Sequence, residues 1–137
     1  MAQSYNKFNA FVADVHNKVH NLASDQLEIA LSDTAPVATD TTVNGEIAYT
    51  NITNGATTGR NLTTTSSTQT AGVYSLILQD LTITATGNVA QFRYVIIRNK
   101  TANKLIGWYD IGSEINMING SSFKVDLDNV NGLFQDT

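Results

Sequence analysis

The chain has 137 residues, enough for one domain with its own core, and 42% of them are hydrophobic, as in a globular protein. Its 8 Lys and Arg residues against 12 Asp and Glu residues give a formal net charge of −4, which argues against a surface that follows nucleic-acid phosphates. The sequence contains no cysteine, and this excludes disulfides, thiol nucleophiles and cysteine-ligated metal centres.

Neither a membrane segment nor an export signal is predicted. The longest apolar run, residues 94–97, is far shorter than the roughly 20 residues that a bilayer span needs. The first residues lack the charged stretch followed by an apolar stretch that marks a secretory signal, so we expect synthesis in the cytoplasm.

An amphipathic helix is predicted at the N-terminus, over residues 4–23. Apolar residues recur there at spacings of three and four, and Ser4 is suited to cap the first turn. Such a helix either docks on a partner as an arm or covers one face of the chain's own sheet, and the second is the default interpretation. The apolar stripe comprises Tyr5, Phe8, Phe11, Val12, Val15, Val19 and Leu22.

Beyond residue 25 the apolar period changes from about 3.6 to 2, which indicates β-strands. Asp80 interrupts one apolar run and marks a bulge or a turn. Asn-Gly pairs, the strongest short hairpin signal, occur four times, and β-branched residues are abundant. We therefore predict a mainly β fold, an antiparallel β-sandwich of jelly-roll or immunoglobulin-like type over 26–137, which forms a single domain with the helix. The predicted strands are 27–31, 46–52, 73–86, 91–98, 104–111 and 122–127.

The segment 54–72 is rich in Thr, Ser and Gly, and its single large apolar residue is Leu62. No core can be built from such a segment, so we predict a long excursion that contains one short strand.

Two histidines and a late acidic segment are candidate metal ligands. On the predicted helix His16 and His20 are four residues apart and share a face, but Asn17 stands where a zinc-protease helix needs Glu and no third ligand is evident. Asp126, Asp128, Asn129, Asn131 and Gly132 have a calcium-loop composition, yet Val130 occupies a ligand position. We predict no metal site, with a surface calcium ion at 126–132 as the alternative.

Asp110 and Glu114 form the one carboxylate pair suited to acid–base hydrolysis. No apolar pocket is predicted that would separate their pKa values, so we interpret them as carboxylates of a strand end and a turn. The nucleophile elbow, the phosphate-binding loop and the dinucleotide fingerprint are all missing from the sequence. We therefore expect no enzyme activity, no catalytic residue and no cofactor.

Trp108 and Tyr109 are adjacent and point to opposite faces of their predicted strand. They either form a contact platform for carbohydrate or protein, or one ring fills the core while the other covers an edge. With the helix and the excursion, which a self-contained core does not fully explain, they are the candidates for partner contact. The residues in this hypothesis are Tyr5, Phe8, Phe11, Val12, Arg60, Leu62, Trp108 and Tyr109.

Four parts of the chain carry a resemblance to a known family. They are residues 5–11 with 19–22, residues 31–36, residues 80–87 with 92–94, and residues 105–112 with 123–126. In these segments the chain resembles small virion structural proteins of tailed bacteriophages and prophages.

The resemblance implies a non-enzymatic virion protein that is made in the host cytoplasm. The favoured role is a capsid decoration or cement protein that binds the major capsid protein or other virion proteins as a dimer or trimer, without nucleic acid or membrane. The alternatives are a tail, neck or baseplate component, a host-glycan-binding module that uses Trp108, Tyr109 or exposed Asn and Thr side chains, and a hydrolase built on Asp110 and Glu114.

Overall fold

The computed structural model describes residues 5–53 and 59–127, together with the backbone of a strand at 134–136. It confirms the prediction of a mainly β fold with antiparallel sheets and one N-terminal helix. The elements are β1 (Tyr5–Lys7), α1 (Asn9–His16), β2 (Leu27–Ser32), β3 (Asn61–Leu62), β4 (Thr64–Thr70), β5 (Val73–Leu78), β6 (Leu81–Thr84), β7 (Val89–Asn99), β8 (Lys104–Met117), β9 (Ser122–Val125) and β10 (Phe134–Asp136).

Three antiparallel sheets make up the fold. The largest has the strand order β1-β8-β7-β2-β3, the second β10-β5-β4, and the third consists of β6 and β9. The β7–β8 hairpin forms the centre of the largest sheet, and its turn uses Asn103 in the left-handed region at φ 55°. Because asparagine tolerates this conformation, the local sequence suits a tight connection between the two long strands.

The largest sheet is covered on both faces. Leu27 and Ile29 of β2 point into the main core, where Leu76 of the second sheet and Ile83 of the third also lie. Ala30, on the opposite face of β2, belongs to a smaller cluster beneath the N-terminal segment. All three sheets thus share one core, while the jelly-roll or immunoglobulin-like topology stays a prediction.

The N-terminal helix is shorter than the predicted span 4–23. Residues 5–7 form β1 and pair with β8, so the first part of the apolar stripe belongs to a sheet edge. The helix ends at His16, and Lys18 follows with φ 63°, a left-handed conformation that stops helical winding. Leu22 is nevertheless buried, because a turn rather than a helix delivers it to the core.

The predicted strand 46–52 is absent from the described structure, which has only single bridges at Glu46 and Ile52 there. Within 54–72 the structure has two strands, β3 and β4, where one was expected, and residues 54–58 lie outside the described part. The predicted run 73–86 divides into β5 and β6 at Asp80, whose Oδ1 accepts a hydrogen bond from the Leu127 amide at 2.7 Å.

Candidate functional site

An open groove of about 850 Å³ lies beside α1. One wall consists of α1 and the turn that follows it, with Val12 and Val15 facing the cavity. The opposite wall comes from the β4–β5 hairpin, through Ser67 and Tyr74, whose hydroxyls are hydrogen-bonded to each other at 2.5 Å. The groove therefore joins segments that are more than 40 residues apart in sequence.

Two phenylalanines hold α1 on the sheet. Phe8 is only 1% exposed, its ring lies 4.6 Å from that of Trp108, and its amide donates to the Ile106 carbonyl at 3.1 Å. Phe11 is also buried and belongs to the main core. With these two side chains buried against the sheet, α1 exposes Val12 and Val15 to the groove.

Tyr5 of β1 also lines the groove. Its ring covers Gly107 so closely that a Cβ atom at position 107 would clash with it, so this β8 position requires glycine. The ring also meets that of Tyr109 edge-on at 5.8 Å, and its hydroxyl donates to the Ile106 carbonyl at 3.4 Å. Burial, together with the neighbouring Tyr109, raises the pKa of Tyr5 above its ordinary value.

His20 lies in the lining of the groove with its side chain fully buried. Its Nδ1 is 2.9 Å from the Asn99 amide nitrogen, which also donates to Asp25 Oδ2 at 2.8 Å. Asn99 Oδ1 accepts from the Ala102 amide, and this orientation of the amide leaves His20 Nδ1 as the acceptor. The proton of the neutral ring therefore resides on Nε2, which has no hydrogen-bond partner and lies 4.0 Å from Asp14 Oδ2.

Burial lowers the pKa of His20, although the carboxylates of Asp14 and Asp25 act in the opposite direction and Lys104 adds to the lowering. Asp25 itself has a lowered pKa, because it accepts hydrogen bonds from Asn99 and from the Asn21 amide. The turn after α1 is thus fixed to β7 through a neutral histidine and an ionised aspartate.

Two of the predicted contact residues belong instead to an internal charge cluster and the core. Arg60 is 9% exposed, its Nη1 donates to the Ile29 carbonyl at 2.9 Å, and the guanidinium stacks on Tyr49 at 3.7 Å. The same Nη1 lies 3.3 Å from Glu28 Oε1. Leu62 is buried in the main core. Neither side chain is available to a partner, because each is already packed within the chain.

Arg98 completes this charge cluster. It donates to Glu28 Oε2 at 2.9 Å and to the two carboxylate oxygens of Glu46 at 3.1 and 3.0 Å. Although burial acts to raise it, the pKa of Glu46 is lowered by hydrogen bonds from Arg98 and Tyr49. Two arginines and two glutamates thus balance each other in charge, and the arrangement serves to hold β2, β7 and the 46–49 loop together.

The other residues of the contact hypothesis are mostly internal as well. Phe8, Phe11 and Tyr109 are buried, and Tyr5 and Trp108 are half-buried against them. The default interpretation, in which the N-terminal segment covers the chain's own sheet and one of the adjacent aromatic rings fills the core, agrees with these positions. Among the eight predicted contact residues, Val12 is the one whose side chain is exposed.

Asp110 is held by a bidentate pair with Arg93, from Nε to Oδ1 at 2.8 Å and from Nη2 to Oδ2 at 3.1 Å. This hydrogen bonding lowers the pKa of Asp110 and keeps it ionised, which does not suit a general acid. Glu114 is exposed on the same strand.

The two histidines do not share a helix face, because α1 ends at His16 and His20 is buried beyond the turn. In the described ranges no group of three or more His, Cys, Asp or Glu side chains is arranged to hold a metal ion. Asp126 is half-buried at the end of β9, whereas the remainder of the predicted calcium segment, 128–132, lies outside the described residues.

Sequence reasoning missed the groove, because its walls come from separate segments that no local pattern connects. Comparison of the chain with known protein families, with curated proteins and with solved structures finds no match. Among the residues that the structure describes, no helix has the length and apolar character needed to cross a membrane.

Proposed function

We propose that this protein is a non-enzymatic structural component of a tailed-phage virion, and that it decorates the capsid by binding the major capsid protein. Support comes from the resemblance noted in the sequence, together with the positions in the fold of the segments that carry it. Residues 5–11 form β1 and the start of α1, and they lie directly on 105–112, which belong to β8. Two of the four parts that carry the resemblance therefore contact each other in the fold.

The architecture suits a building element of a particle. Both faces of the largest sheet are covered, and a cluster of paired arginines and glutamates links β2 to β7. The observation that carries a binding role is the open groove beside α1. The helix is anchored to the sheet, and it exposes Val12 and Val15 to this groove. An anchored helix with exposed apolar side chains is suited to contact another protein, because little order has to be created on binding.

The proposal is tested by locating the protein in purified particles. Quantitative mass spectrometry should find it in a fixed ratio to the major capsid protein, and a cryo-electron microscopy map should show its β-domain on the capsid surface at symmetry-related positions. A dimer or trimer at those positions would agree with the expected oligomer.

Density on the tail, neck or baseplate would instead support the alternative structural role. Absence of the protein from mature particles would overturn a virion function altogether. For the glycan-binding alternative, Trp108 and Tyr109 have less support as a contact platform, since Trp108 packs on Phe8 and Tyr109 is buried.

A further inference from the structure

We infer that the groove beside α1 binds an extended protein segment in which apolar side chains are combined with carboxylates. The identity of the protein that supplies this segment, the major capsid protein, rests on the proposed function. The chemistry of the segment follows from the groove itself.

The apolar part of the recognition comes from α1. Val12 is 44% exposed and Val15 is 37% exposed, and at a spacing of three residues they lie on one face of the helix. In the described ranges only four large hydrophobic side chains are this exposed, and these two line the same cavity. A cavity of about 850 Å³ has room for several apolar side chains of a ligand.

The charged part comes from two lysines. Lys7 at the end of β1 and Lys18 in the turn after α1 both line the groove, and neither ammonium group has an ion pair or hydrogen bond with the described residues. By contrast Arg60, Arg93 and Arg98 are all paired with carboxylates inside the chain. The described lining contains no Asp or Glu, although the whole chain has a net charge of −4. Among the described lining residues the two lysines thus provide positive charge that complements an acidic ligand.

The groove offers apolar and charged contacts that an extended segment can make together. It runs between α1 with its following turn and the β4–β5 hairpin, and it is open to solvent along α1. Successive side chains of an extended segment point to opposite sides, so alternate apolar residues can face the valines while acidic residues reach the lysines.

Binding is tested with the full chain and two short fluorescein-labelled peptides, one of alternating leucine and aspartate and one with lysine in place of aspartate. Fluorescence anisotropy should show binding of the aspartate peptide, weakened by salt, and no comparable binding of the lysine peptide. Equal binding of both peptides, or of neither, would contradict the inference.

Variants then locate the binding site. Val15→Asp should weaken binding of the aspartate peptide about 10-fold, because the new carboxylate on the apolar wall repels the carboxylates of the peptide. Val37→Asp is the matched control, since Val37 is 55% exposed and does not line the groove, and it should bind as the parent protein does. If Val15→Asp is poorly folded by circular dichroism, Val15→Ser replaces it, with a smaller expected loss of about 3-fold.

The lysines are tested in the same way. Lys7→Gln and Lys18→Gly should each weaken binding about 3-fold, whereas Lys100→Gln, outside the groove, should not. Lys18→Gly is a suitable charge deletion, because glycine adopts the positive φ at this position without strain. Unchanged affinity in both lysine variants would overturn the charge assignment.

Other occupants give different results. Tighter binding of free dodecanoate than of the aspartate peptide would indicate a lipid ligand, and a parent dimer that Val15→Asp converts to monomers would indicate a second copy of the chain. Either result would overturn the inference.

The particle assay separates this inference from the proposed function. If the parent protein is present in particles and Val15→Asp is incorporated equally well, the groove inference fails and the virion function stands. If the aspartate peptide binds the groove but the protein is absent from particles, the virion function fails and the groove inference stands.

Discussion

Replacement of Phe8 by alanine tests whether the N-terminal segment is an integral part of the fold or an arm. Phe8 is fully buried, and it packs with Ala30, Ile96 and Leu105 and against the ring of Trp108 at 4.6 Å. Removal of a buried phenyl ring costs about 3–5 kcal/mol, the sum of lost burial and of the cavity left behind. This is a large fraction of the roughly 5–15 kcal/mol by which domains are stable.

Urea denaturation followed by tryptophan fluorescence measures this loss directly, because Trp108 is the only tryptophan. With an m-value of about 2 kcal/mol/M, the midpoint should fall by about 2 M. The emission of the folded variant should also shift to longer wavelength, since Trp108 loses the ring that covers it.

Val12→Ala is the matched control on the same segment. Its side chain is exposed, so the expected change in unfolding free energy is within about 0.5 kcal/mol. A loss below about 1 kcal/mol for Phe8→Ala, with unchanged Trp108 emission, would refute the docked position of the segment and revive the arm interpretation.

Three further predictions follow from contacts within the fold. Arg98→Met should lower the unfolding free energy by about 3–5 kcal/mol, because the buried carboxylate of Glu28 then has one arginine partner fewer. Urea denaturation measures this loss, and a change within about 0.5 kcal/mol would contradict the prediction. The lowered pKa of His20 means that the unfolded chain takes up the proton more readily, so stability should decrease as the pH falls through about 6.5. Thermal melts from pH 8 to 5 should show this decrease in the parent and much less of it in His20→Gln; equal slopes would exclude His20 as the cause. Gly107→Ala should cost about 1–3 kcal/mol by displacing the ring of Tyr5, and the double variant with Tyr5→Ala should lose less than the sum of the two single losses.

The buried charge cluster illustrates what local sequence patterns could not reveal. Glu28 lies in a strand whose apolar alternation is evident, and nothing near it in sequence indicates that its carboxylate is buried. Its partners Arg60 and Arg98 are 32 and 70 residues away in sequence and are brought to it by strand pairing. Arg60, a candidate contact residue within the predicted excursion, is buried for this reason.

The sequence by itself determined the β class, strands at 91–98 and 104–111 and the existence of an N-terminal helix, because these depend on periodicity and turn residues over a few neighbouring positions. Tertiary structure decided where that helix stops. The helix ends at His16, and Leu22 is nevertheless buried in the main core because the loop after the helix places it there. It also decided which apolar residues of α1 stay exposed, because Phe8 and Phe11 occupy the space over the sheet and leave Val12 and Val15 to the groove. Packing between distant segments thus created the candidate site, and no pattern within one segment encodes it.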